Sequence, residues 1–171
     1  MSIRRFLLPA LSLVLVAGAS LGADAQTGPV GGSGKAGAGQ NLTPERVAAL
    51  HKSQVQKLAN GDKSVRVVIE KDGWKYDMNI VFLADGKVWD IWSALGAPNQ
   101  TYTPEQLKGM EEKNKAWKDE QKYFEINKQD KRLYLADINF KVETTEQGFA
   151  QALERYMNTV RSTYELWKAP N

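Results

Sequence analysis

Between Val65 and Ala94 three apolar-rich runs are separated by two Asp-Gly pairs, Asp72-Gly73 and Asp85-Gly86. Such a pair supplies the two left-handed backbone positions of a two-residue hairpin turn, because Gly has no Cβ to clash there and Asp tolerates the same region. A tight turn also fixes register, and a slip by one residue would send every side chain to the opposite face. Closing Lys71 against Trp74 sets Ile69 opposite Tyr76, Val67 opposite Met78 and Val65 opposite Ile80. Closing Ala84 against Lys87 sets Phe82 opposite Trp89 and Ile80 opposite Ile91. Both turns place all of these residues on one face, so the runs Val65 to Lys71, Trp74 to Ala84 and Lys87 to Ala94 are expected to form an antiparallel meander.

The other face of that meander divides in two. Arg66, Glu70, Lys75, Asp77 and Asn79 read as solvated surface, whereas Val81, Leu83, Val88 and Trp92 gather around Asp90. Apolar side chains grouped on a face that should meet water mark a contact surface. Val81, Leu83, Val88, Asp90 and Trp92 are therefore the candidate binding patch, the alternative being cover by the segment Leu95 to Tyr102 or by the N-terminal helix.

Three helices are expected around the strands. The first starts at Leu42-Thr43-Pro44-Glu45, where Thr43 caps, Pro44 suits the first turn and Leu42 staples onto Val47, and its stripe runs to Leu58 before Asn60-Gly61. The second starts at Thr103-Pro104-Glu105-Gln106 and carries Leu107, Met110, Asn114 and Trp117 at spacings of three and four. The third starts at Thr144, with Gln147 completing a capping box, and carries Phe149, Leu153, Tyr156, Val160 and Trp167 as far as Lys168. A further hairpin is read at Tyr123 to Asn127 and Arg132 to Ala136, with Ile126 opposite Leu133 and Phe124 opposite Leu135. Beyond Asp137 the apolar parity shifts to Ile138 and Phe140, which a bulge or a departing strand would explain. The fold class is α+β: a twisted antiparallel sheet, three-strand meander plus hairpin, with helices packed on one face in the order α-β-β-β-α-β-β-α over residues 42–169.

The N-terminus reads as a targeting segment. Arg4 and Arg5 precede an apolar run from Phe6 to Leu21 that closes on Ala23-Asp24-Ala25, a small-x-small pattern, so residues 1–25 are expected to be a signal peptide and the protein periplasmic or secreted. The run is too short and interrupted for a stable membrane span; an uncleaved anchor is the alternative. Residues 26–41, mostly Gly, Ala and Ser, are expected to be a disordered linker. The chain contains no cysteine, so packing alone must hold the fold. A net charge of +3 is too balanced to argue for nucleic acid or an acidic membrane surface, and no nucleic-acid partner is expected.

No catalytic constellation emerges. His51 is the only histidine and, without cysteine, cannot belong to a zinc cluster or a Cys/His pair. It sits beside Leu50 on the first helix as a boundary residue. No Gly-x-Ser-x-Gly elbow or phosphate loop is present. Asp77 and Asp90 share a face but lie roughly 13 Å apart at ~3.3 Å per residue, too far to work as a glycosidase pair. Nothing in the sequence asks for a metal or cofactor. Of the five tryptophans only Trp92 points away from the core, which leaves sugar stacking as an alternative.

The element order, with Asn114-Lys115-Ala116-Trp117 before Tyr123-Phe124, then Leu133-Tyr134-Leu135 and a Thr-led amphipathic helix, resembles YbjN-type bacterial domains and type III secretion chaperones. At Lys141-Val142-Glu143 this chain departs from the small-residue turn that YbjN-type domains often place before the last helix. The resemblance implies a non-enzymatic binding or chaperone-like scaffold that uses exposed apolar surface and often dimerises; secretion chaperones work in the cytosol. The expected function is a non-catalytic binding protein whose partner is a protein, a peptide or a second copy of itself. A carbohydrate-binding module and a cell-envelope hydrolase are the alternatives.

Overall fold

A computed structural model describes residues 42–83, 89–139 and 145–169. In chain order the elements are α1 (Pro44–Leu50), β1 (Val55–Lys57), β2 (Lys63–Lys71), β3 (Trp74–Phe82), β4 (Trp89–Leu95), α2 (Pro104–Ala116), β5 (Lys122–Ile126), β6 (Leu133–Asn139), α3 (Glu146–Ser162) and α4 (Tyr164–Trp167), with one 3-10 turn at Lys118–Glu120. The strands form one antiparallel sheet in the order β1-β2-β3-β4-β6-β5. The α+β class and the order of elements agree with the sequence reading, apart from the added strand β1.

The Asp72-Gly73 turn does what its chemistry requires: Asp72 has φ 53° and Gly73 φ 76°, the left-handed pair of a two-residue hairpin. Register follows, with Ile69 against Tyr76, Val67 against Met78 and Val65 against Ile80. On the other side of β3, Ile80 meets Ile91 and Phe82 meets Trp89. Asp85-Gly86 lies outside the described residues. Val65, Val67, Tyr76, Met78, Ile80, Trp89 and Ile91 are buried in one core with Phe149, Leu153, Tyr156 and Val160 of α3. The helices therefore pack on this face of the sheet. Tyr156 is sealed at its centre, its hydroxyl donating to the Leu135 carbonyl at 2.8 Å, and burial pushes its phenol far above the usual range.

Four local expectations change. The first helix stops at Leu50, where Lys52 turns left-handed (φ 50°) and the Ser53 amide donates back to the Ala48 carbonyl at 2.9 Å, a reversal that closes the helix end. The chain then returns as β1, with Val55 opposite Val65. Asn60-Gly61 sits in the β1–β2 loop, where Gly61 has φ 92°. At the other end of the chain Thr145 caps α3 by accepting from the Gly148 amide, and Thr144 lies outside the described residues. The last helix breaks at Thr163, whose buried hydroxyl donates to the Thr159 carbonyl at 2.8 Å and competes with helix continuation. The break turns Leu166 and Trp167 toward α2; Gly109 is the point of approach, since a Cβ there would meet Leu166 Cδ2 at 2.6 Å. Finally, β6 pairs with β4 without interruption from Leu133↔Leu95 to Asn139↔Trp89, so no bulge follows Asp137. The parity shift has another cause: Ile138 faces away from the helices, beside Asp90.

The two sheet edges are finished differently. At β5 the Asn114 side chain acts as a substitute strand: its carboxamide accepts from the Phe124 amide at 2.7 Å and donates to the Phe124 carbonyl at 2.9 Å. At the opposite edge β1 covers only Lys63, Ser64 and Val65 of β2. Arg66 to Lys71 have no outer partner strand among the described residues, and Val68 stands exposed there. Replacing Asn114 with Leu is expected to leave both Phe124 backbone groups unpaired and to lower stability by about 2 kcal/mol, read by urea denaturation. A change below about 0.5 kcal/mol would show that water replaces the carboxamide at no cost.

Candidate functional site

The face without helices carries the candidate patch, and paired residues on neighbouring strands place its members. One row runs Ser64 (β2), Val81 (β3), Asp90 (β4) and Ile138 (β6); the next runs Arg66, Asn79, Trp92, Ala136 and Tyr123. Val81, Leu83, Trp92, Tyr123 and Ile138 are each half-buried, while Asp90 and Ala136 are buried. Val88 lies outside the described residues. Of the five residues read from the sequence, the structure thus brings Val81, Asp90 and Trp92 together on this face, with Leu83 directly beyond the end of β3. It adds Tyr123, Ala136 and Ile138 from the hairpin, which sequence reasoning missed. The signal for Ile138 is the parity shift beyond Asp137, for which a bulge or a departing strand was the expected cause.

Local packing explains the burial of Ala136. The Trp92 and Tyr123 rings meet edge-on at 5.9 Å and 87°, one on each side of Ala136, whose small side chain leaves room for both. Burial, together with the nearby charges of Glu125 and Asp90, pushes the Tyr123 phenol up to about 12. The lower part of the face is polar as expected: Arg66 donates to Asp77 from Nε at 2.8 Å, which holds the Asp77 carboxylate in an exposed ion pair. Asp77 is therefore engaged away from Asp90 and four positions along β3 from Val81, its cross-strand neighbour.

Asp90 is the unusual group on this surface. It is only 8% exposed and its Oδ1 has no hydrogen-bond partner. Loss of water raises its carboxyl pKa to about 6, against a hydrogen bond from the Trp92 side chain that favours the charged form; the negative charges of Asp62 and Asp137 push it further up. Asp62 ends the β1–β2 loop, accepts from the Asn60 carboxamide at 2.7 Å and is buried, so a second carboxylate stands near Asp90 that the sequence reading had not paired with it. His51 caps α1 against the edge of Phe149 at 6.0 Å, and burial lowers its pKa, in keeping with a boundary residue.

An antiparallel sheet with helices on one face, in this element order, is the fold class seen in type III secretion chaperones. In particular, a chain in the crystal structure of the ExsC-ExsE complex matches with a TM-score of 0.54 at 10% sequence identity, over 75% of this chain and 92% of that chain. The resemblance holds at the level of the fold, and the matched structure is one of a protein bound to a protein. No family model matches the sequence, and no curated protein is similar to it. The match also corrects the expected location. Type III secretion chaperones are cytosolic, so the fold points away from the periplasmic or secreted location read from residues 1–25, which themselves lie outside the described residues.

The Asp90 pKa has a consequence for stability. An Asp in an unfolded chain titrates near ~3.9. With the folded value raised to about 6, the folded state holds the proton more tightly, so this group favours folding at low pH and loses that contribution as pH rises from about 4 to about 6. The cost above that range is up to about 3 kcal/mol. In urea titrations at a series of pH values, Asp90→Asn is therefore expected to gain on the wild type progressively between pH 4 and 6.5. Parallel stability profiles for the two proteins would place the Asp90 carboxylate in water.

Proposed function

We propose that this protein is a non-catalytic, chaperone-like binding protein that engages a protein or peptide partner, or a second copy of itself, through the helix-free sheet face. One observation carries the reading. Val81, Leu83, Trp92, Tyr123 and Ile138 form an apolar strip across four strands on the face opposite the helices, with Asp90 set into it. Surfaces of this kind, with aromatic residues central and charged residues at the margin, are what protein partners bury. Arg66, Asp77 and Lys75 supply that margin.

Two further features support a polypeptide as the partner. Among the described residues, the outer edge of β2 from Arg66 onward has no partner strand, and such an edge offers backbone donors and acceptors that an extended segment complements. The structural neighbour is itself half of a protein–protein complex. A sugar-binding site would need an open Trp92 ring, whereas Tyr123 packs against it here.

The double variant Leu83→Ser, Trp92→Ser tests the reading. It is expected to keep the far-UV circular dichroism of the wild type and to lose at least tenfold in partner retention by pull-down, or in self-association by analytical ultracentrifugation. Retention equal to the wild type would remove the strip from the interface. Unfolding of the variant would instead assign these side chains to the core.

A further inference from the structure

We infer that Asp90 anchors a basic side chain of the partner, a Lys or Arg whose alkyl stem lies along the apolar strip and whose charged head meets the Asp90 carboxylate. This rests on the proposed binding role of the strip and names the chemistry the strip selects: a polypeptide segment that carries a cation among apolar residues.

The register places the acid. On β4, Asp90 stands opposite Val81 of β3 on one side and Ile138 of β6 on the other. One carboxylate therefore sits between two aliphatic neighbours on the helix-free face. Asp90 is only 8% exposed, and its Oδ1 is shut off from water with no hydrogen-bond partner. Val81 and Ile138 have no side-chain donor to offer it. Arg66, one row along on the same face, is committed to Asp77 from Nε at 2.8 Å. Among the described residues no ion pair includes Asp90.

A buried carboxylate oxygen without a donor weakens the fold, and native proteins rarely keep one. An aliphatic residue at position 90 would continue the row of Val81 and Ile138 and avoid that cost. A donor delivered from outside also removes it. An ammonium or guanidinium head makes a charge-assisted hydrogen bond, which gains strength where water is scarce. Lys and Arg suit both parts of the surface, since their methylene stems cover apolar area while the head keeps a polar contact. Val81, Ile138 and the half-buried Leu83 supply the area for the stem. The two side-chain torsions of Asp90 let the carboxylate swing toward a cation seated on the strip. An acidic side chain would meet Asp90 as a like charge, and a purely aliphatic one would leave Oδ1 unpaired.

Probes of one chain length and different charge separate the anchor from simple hydrophobicity: n-hexylammonium, n-hexanol and n-hexanoate. Each is titrated into the full chain and followed by NMR at the Val81 and Ile138 methyl groups and the Trp92 indole N–H. The cation is expected to shift these resonances and to bind at least about tenfold more tightly than the alcohol, with the carboxylate weakest. In Asp90→Asn, which keeps the shape of the side chain, the cation should fall to the level of the alcohol, and the alcohol itself should change by less than about threefold. Equal binding of cation and alcohol by the wild type, or a preference for the cation that survives Asp90→Asn, overturns the anchor and leaves the strip as a binding surface. If none of the probes moves these resonances, the strip is overturned and the anchor with it. Should Asp90→Asn fail to fold, the ranking of the probes on the wild type decides by itself.

Discussion

The Asp72-Gly73 reversal is the constraint on which the rest of the sheet depends. Its two left-handed residues commit Lys71 to Trp74, and from that pair the alternation of side chains assigns nine consecutive positions of β2 and of β3 to one face or the other. Val67, Met78 and Ile80 are thereby given to the helices, and Val81 to the open side. Moving the turn by one residue would expose the whole core stripe, a cost of many kcal/mol at about 1.5–3 kcal/mol for each large apolar side chain. The energetic strength of the core is thus what keeps the apolar strip of the open face in place.

The helices reinforce this arrangement from one side only. Arg161 of α3 bonds to Asp72 at 2.8 Å and Lys71 bonds to Glu154 at 2.7 Å, so the hairpin tip is tied to the helix that covers the core. These pairs are exposed and each contributes at most about 1 kcal/mol, but both act at the turn that sets the register. The open face receives no such cover among the described residues, and its apolar strip instead surrounds a carboxylate. A protein optimised for stability alone would have neither feature. Both features underlie the proposed contact surface.

Much of this was legible in the sequence, and the reason is local chemistry. Asp-Gly turns, Thr-Pro-Glu helix starts and two-residue alternation each depend on neighbours in the chain, so the meander, the cap at Thr43, the helix start at Thr103 and the split character of the open face could be derived. Failures came where distant contacts overrode local pattern. Leu58 continues a helical stripe, yet the chain reverses at Lys52 because Val55 gains more by pairing beside Val65. Ile138 broke parity because β6 serves both faces, which only its pairing with β4 explains. Asp62 simply follows Asn60-Gly61 in the sequence, and nothing short of the folded register brings it near Asp90. The open-face site was therefore half visible: its β3 and β4 members followed from the turns, while Tyr123, Ala136 and Ile138 depended on which strand lies next to β4.

The most direct measurement uses the absence of cysteine from the chain. Arg66 and Asn79 face each other on the open side of β2 and β3, in the close, non-hydrogen-bonded type of pair that a two-residue turn at Asp72-Gly73 dictates. The double substitution Arg66→Cys, Asn79→Cys should oxidise readily to an intramolecular disulfide without loss of structure, and Arg66→Cys, Met78→Cys should not. Efficient cross-linking of the second pair in place of the first would show the register displaced by one residue and the apolar strip turned into the core.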